Sequence, residues 1–86
     1  MPVVSRFYGV SIYFYISDHA PPHFHAIYGE FEASFDIETC EVLDGNVPPR
    51  IRRFITEWTE MHQEELMENW HRARARQEML PIAPLV

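Results

Sequence analysis

Phe31-Glu32-Ala33-Ser34-Phe35-Asp36-Ile37 is the stretch that decides the fold. Apolar residues at 31, 33, 35 and 37 alternate with polar ones at 32, 34 and 36. Successive side chains of a strand point to opposite faces, so this is a β-strand with one buried and one wet face. A sheet with one apolar face needs a cover. Upstream, His23 to Tyr28 reads as another strand, joined to the first by the turn signal Tyr28-Gly29-Glu30. Further upstream, Arg6 to Ile16 is rich in aromatic and β-branched residues and reads as one strand, bulged or bent at Gly9. Its apolar face would hold Tyr8, Val10, Ile12, Phe14 and Ile16; Phe7, Ser11, Tyr13 and Tyr15 would form a more amphipathic face. Ser17 to Pro22 is a loop stiffened by Pro21 and Pro22. Downstream, a turn at Glu38-Thr39-Cys40-Glu41 leads into a short Val42-Leu43 strand, and Asp44-Gly45-Asn46 ends the sheet.

From Pro48 the period changes. Val47, Ile51, Phe54, Ile55, Trp58, His62, Leu66, Trp70 and Ala73 recur in steps of three or four, the spacing of one helical face. Two prolines, Pro48 and Pro49, suit a helix start. The stripe is one long helix or two with a break near Met61 to Gln63, and it would supply the cover that the sheet needs. The expectation is a single α+β domain over residues 1–86. A small antiparallel sheet of three to four strands (about residues 5–45) packs on one long or two consecutive C-terminal helices (about 48–76). Residues 77–86 form an apolar tail that Pro81 and Pro84 bar from an interior strand.

Composition sets further bounds. With 86 residues the core is thin, so a homodimer is a reasonable expectation. The lone cysteine, Cys40, excludes an intramolecular disulfide framework. No charged stretch followed by an apolar signal core opens the chain, and no run of about 18 apolar residues would span a membrane. A cytoplasmic location with no membrane contact is expected. The net charge of −6 argues against direct nucleic-acid binding by the chain alone. All seven basic side chains are arginines, and six fall in two groups, Arg50/Arg52/Arg53 and Arg72/Arg74/Arg76. The plain expectation for them is solvated helix positions pairing with the many glutamates.

The chemistry concentrates in Asp18-His19-Ala20-Pro21-Pro22-His23-Phe24-His25. On a regular strand His23 and His25 share a face, so both rings can reach one ion. His19 precedes them across the rigid Pro21-Pro22 pair. Asp18 is a further ligand, or the acceptor that fixes a ligating histidine's tautomer. Neutral imidazoles with an open coordination position are how a catalytic zinc site is built, and they also suit nickel and iron. His62, on the helical stripe, is a candidate fourth ligand or a partly buried core histidine. The competing readings are structural packing of the rings among Tyr13, Tyr15 and Tyr28, and a binding surface without metal that adds Pro21, Pro22, Arg50 and Arg53. General acid–base chemistry by histidine, as in a nuclease toxin, would need phosphate-holding groups to converge on the same cleft. No cofactor is required by any motif; a divalent transition metal (zinc, nickel or iron) is the candidate.

Four stretches carry a resemblance: Pro2-Val3-Val4-Ser5-Arg6-Phe7; Asp18-His19 with Pro21-Pro22-His23-Phe24-His25-Ala26; Tyr28-Gly29-Glu30; and Trp58 with His62-Gln63-Glu64-Glu65-Leu66 and Asn69-Trp70. Together they resemble a bacterial family, domain of unknown function 4160. The resemblance implies one half of a two-gene, toxin–antitoxin-like or regulatory module. Its partner would be a small protein encoded nearby, often a second domain of unknown function, 2442. On that reading the chain is an interaction component rather than an enzyme. The family usually has glycine where this chain has Cys40; if that turn position needs positive φ, the cysteine side chain costs about 1 kcal/mol.

Overall fold

Two consecutive residues with positive φ, Tyr8 (48°) and Gly9 (83°), fold the first aromatic stretch back on itself. In the computed structural model, which describes residues 3–86, this turn joins β1 (Val3–Phe7) to β2 (Val10–Tyr13), with Phe7 opposite Val10. Positive φ at both central residues matches the right-handed twist of a hairpin. The single strand expected over 6–16 is therefore corrected to a hairpin followed by a loop. Val10, Ile12 and Phe14 are buried as expected, whereas Tyr8 and Ile16 are exposed. Residues Met1 and Pro2, and with them the start of the first resembling stretch, lie outside the described residues.

Three more strands follow: β3 (His23–Tyr28), β4 (Phe31–Asp36) and β5 (Val42–Gly45). All neighbours pair antiparallel in the order β1-β2-β3-β4-β5, a meander. The sheet has five strands rather than three to four because the first stretch supplies two. Phe31, expected on the buried face, is exposed where β4 begins.

The helical stripe divides into α1 (Pro49–Met61) and α2 (Gln63–Arg74), with His62 between them at φ −130°. Ile51, Ile55, Trp58, Leu66, Trp70 and Ala73 join Ile12, Phe14, Phe24, Ala26, Phe35 and Ile37 in one core. Trp58 is fully buried, and its ring meets those of Phe7 and Phe24. Burying such a large ring excludes more apolar surface from water than any other side chain type in this core.

The apolar tail is tied to its own domain. The Ile82 amide donates to Val4 O at 2.8 Å along the free side of β1. Asn69 grips the Leu80 backbone twice, Nδ2 donating to its carbonyl and Oδ1 accepting from its amide, each at 2.8 Å. The Trp58 indole donates to Ala83 O at 2.8 Å. Among the described residues no helix is long and apolar enough to cross a membrane.

Candidate functional site

The loop after β2 returns to the sheet across the start of β3. Its Ser17 amide donates to Ala73 O at the end of α2, and Pro22 O accepts from the Ile37 amide. Both contacts hold Asp18 over the two histidines of β3. His23 and His25 lie on one face of the strand, as the alternation requires, and are 5% and 9% exposed. Asp18 Oδ2 lies 2.9 Å from His23 Nε2 and 3.0 Å from His25 Nε2. One nitrogen from each ring and one carboxylate oxygen all fall within 4.8 Å of one another.

The remaining ring nitrogens are also engaged. His23 Nδ1 is 2.6 Å from Pro21 O, and a carbonyl only accepts, so that nitrogen carries a proton. His25 Nδ1 is 3.3 Å from Ser34 Oγ, which can donate or accept. The other oxygen of Asp18, Oδ1, accepts from the His19 amide at 2.9 Å and lies 3.1 Å from His19 Nδ1. Burial alone would raise the Asp18 carboxyl. The hydrogen bonds from His25 and the His19 amide, with the charges of His23 and His25, outweigh it and hold the carboxyl below the ordinary carboxylate range.

Aromatic rings wall the group. Tyr13 stacks on His25 at 5.3 Å and Tyr15 meets it edge-on at 4.4 Å. Trp70 of α2 lies 5.3 Å from His23. Tyr13 is itself buried and donates to Glu32 Oε2 at 2.7 Å; burial first, and then that hydrogen bond, push its hydroxyl above the ordinary tyrosine range. The group opens on a cleft of about 370 Å³ whose wall includes Tyr15, His19, Pro21, Ser34, Leu43 and Asp44.

Of the sequence candidates, the fold brings together Asp18, His23 and His25, with His19, Tyr13, Tyr15 and Pro21 around them. His19 touches Asp18 but is largely exposed, at the cleft mouth. His62 is not in this group: it sits between the helices, with Nδ1 2.6 Å from Glu65 Oε1 and its ring against Trp58. Tyr28, Arg50 and Arg53 lie elsewhere; Tyr28 ends the strand that His23 begins. Ser34 and Asp44 enter the site without having been singled out in the sequence. Their place follows from cross-strand register, His25 opposite Ser34 and Ser34 opposite Asp44, which alternation within one strand does not reveal.

No curated protein and no solved structure matches the chain. The family model described as Domain of unknown function (DUF4160) matches residues 9–71, from the first hairpin turn into α2, and so contains Asp18, His23 and His25. That match spans well over half of the 86 residues, and the chain belongs to the DUF4160 family.

Proposed function

We propose that this domain binds a divalent transition-metal ion through His23 Nε2, His25 Nε2 and Asp18 Oδ2, with zinc, nickel or iron as the candidates. The observation that carries the reading is the tautomer of His23. Because Nδ1–H donates to Pro21 O, a neutral His23 turns the lone pair of Nε2 toward a carboxylate oxygen 2.9 Å away. Two lone pairs at that distance repel unless a positive charge lies beside them. A proton on the ring would serve; so would a metal ion, for which a carbonyl holding the opposite ring nitrogen is the usual support. Ligands at about 2.0–2.2 Å from an ion stand roughly 2.8–3.6 Å apart when adjacent, a range that already holds both carboxylate–imidazole distances. Two imidazoles and one carboxylate leave coordination positions open, which suits a metal-dependent enzyme or a sensor. The lining of the cleft includes Asp44 and no arginine among the described residues, so a nuclease reading lacks a phosphate-holding group there.

The test is metal content and calorimetric titration of protein prepared without a histidine tag. Stoichiometric binding is expected, lost in His23→Ala and in His25→Ala, with a rise in Tm on adding the metal. Unchanged Tm and no bound zinc, nickel or iron would sink the reading.

A second reading, a protein-interaction component of a two-gene toxin–antitoxin-like or regulatory module, draws support from the sheet edges. The tail covers part of the β1 edge, while β5 carries the half-exposed Leu43 and, among the described residues, pairs only with β4. An unpaired edge is a template for strand addition by a small partner or a second copy. Co-purification with the neighbouring gene product is expected. A chain that stays monomeric and ignores that product counts against it.

A further inference from the structure

The end of the sheet away from the histidines carries a second cavity, independent of the proposed metal site. It lies where the β1–β2 turn, the end of β3 and the first turn of α1 meet. Tyr8, Tyr28, Phe54, Ile51 and Arg50 bound a space of about 370 Å³. The Tyr8 ring packs on Phe54 at a tilt of 35°, centroids 5.1 Å apart, and remains 54% exposed. The Arg50 guanidinium carbon stands 5.6 Å from the centre of the Phe54 ring. Tyr28 lies so close to the turn that a Cβ on Gly9 would come within 3.3 Å of its ring.

Charge complements this aromatic shelf. Arg50, Arg52 and Arg53 follow one another around the start of α1, whose first turn holds no acidic residue. Among the described residues none of the three forms an ion pair; the arginine that does is Arg72, with Glu68. Arg50, Arg52 and Arg53 are exposed, as expected of solvated helix positions; of the second group Arg72 makes the expected glutamate pair. Only Arg50 lines the aromatic cavity, while Arg52 and Arg53 face a neighbouring groove with Glu57 and Glu60. A guanidinium beside an exposed ring suits a ligand that is both flat and anionic.

We propose that this cavity takes a nucleotide of single-stranded nucleic acid, its base stacked on the exposed Tyr8 ring and its phosphate paired with Arg50. Stacking on aromatic side chains is tolerant of base identity, and arginine matches the geometry of phosphate oxygens. An acidic peptide would satisfy the charge but offers the shelf no broad flat face. The −6 net charge acts over the whole molecule and weakens long-range attraction; the charged side chain that lines the cavity itself is Arg50. Binding therefore leans on stacking and falls as salt is raised.

The identity of Tyr8 supplies a clean test. At φ 48° before Gly9, asparagine is the favoured residue of a two-residue hairpin turn, so Tyr8→Asn keeps the turn while removing the ring. Fluorescence anisotropy of the full chain with labelled oligo-dT and oligo-dA at low salt is expected to show saturable binding to both. Tyr8→Asn should weaken it about tenfold without lowering Tm, a loss within the range seen for removing one stacking ring. Arg50→Glu should weaken it at least as much, with a shallower salt dependence. The proposal is overturned if neither oligonucleotide binds or if Tyr8→Asn binds as well as the parent. It is equally overturned if a glutamate-rich peptide of matched charge displaces the oligonucleotide at equal concentration, which would assign the patch to an acidic protein segment.

Discussion

Cys40 stands at φ 64°, in the left-handed region, where a side chain crowds the following carbonyl. The turn is held around it: Asp36 accepts the Glu38 and Thr39 amides at 2.8 and 2.9 Å, and the Cys40 amide donates to Asp36 O at 2.9 Å. Cys40→Gly relieves the crowding at the expense of only a weak contact from Gln63, at 3.9 Å. We expect it to raise stability by roughly 1 kcal/mol, read from urea denaturation midpoints. The thiol itself is held above its ordinary range by burial, and further by Glu60 and Asp36. As pH rises the unfolded chain therefore gives up this proton before the folded one does. The thiol's stabilising contribution is complete below an unfolded pKa of about 8.5 and is lost as pH climbs through the folded value. The midpoint of alkylation against pH should accordingly lie above that of free cysteine and return to it in denaturant. Glycines announce such positions in a sequence, as Gly29 and Gly45 do; Tyr8, Ser17 and Cys40 adopt the same backbone region without any signal from their side chains.

At the scale of elements, periodicity located most of the structure. The strand at 31–37, the strand at 23–28, and the helical stripe all stand close to where the periodicity placed them; of the two alternatives left open for the stripe, the structure takes two helices with the break at His62. The first hairpin escaped because Phe7 and Val10, on either side of Tyr8-Gly9, belong to one continuous β-prone run. Composition does not distinguish a bend from a two-residue reversal. The contact between α2 and the tail escaped for a different reason: it rests on Asn69, a polar residue inside an apolar stripe. Fully buried, Asn69 satisfies both the carbonyl and the amide of Leu80. Asn69→Ala leaves both groups without these partners and should cost about 2–3 kcal/mol. Thermal denaturation measures the loss, and faster hydrogen exchange at the Leu80 and Ile82 amides would locate it in the tail.

At the scale of the whole molecule, the tail closes the domain. It pairs with β1 through Ile82 and Val4, buries Ile82, and accepts the Trp58 indole proton. Deleting residues 79–86 would strip the β1 edge and leave the Trp58 N–H without its acceptor. An exposed apolar edge recruits other chains. We expect the truncated chain to elute as higher oligomers or aggregate in size-exclusion chromatography, while the full chain does not aggregate. A truncated chain as stable and dispersed as the parent would show that the tail merely rests on the surface.

Whether the helical stripe breaks at His62 was left to the structure; the sequence by itself determined the α+β class, the sheet-then-helix order, and the shared face of His23 and His25. Each of these follows from side-chain periodicity within one element, which is a local property of the backbone. Only the tertiary structure decided that Asp18 folds over those two rings, that His62 stays apart from them, and that Ser34 and Asp44 join them. It alone placed Tyr8, Tyr28 and Arg50 around one cavity. Those arrangements depend on strand register and on how a loop crosses a sheet, distances between residues far apart in the chain that no local pattern encodes.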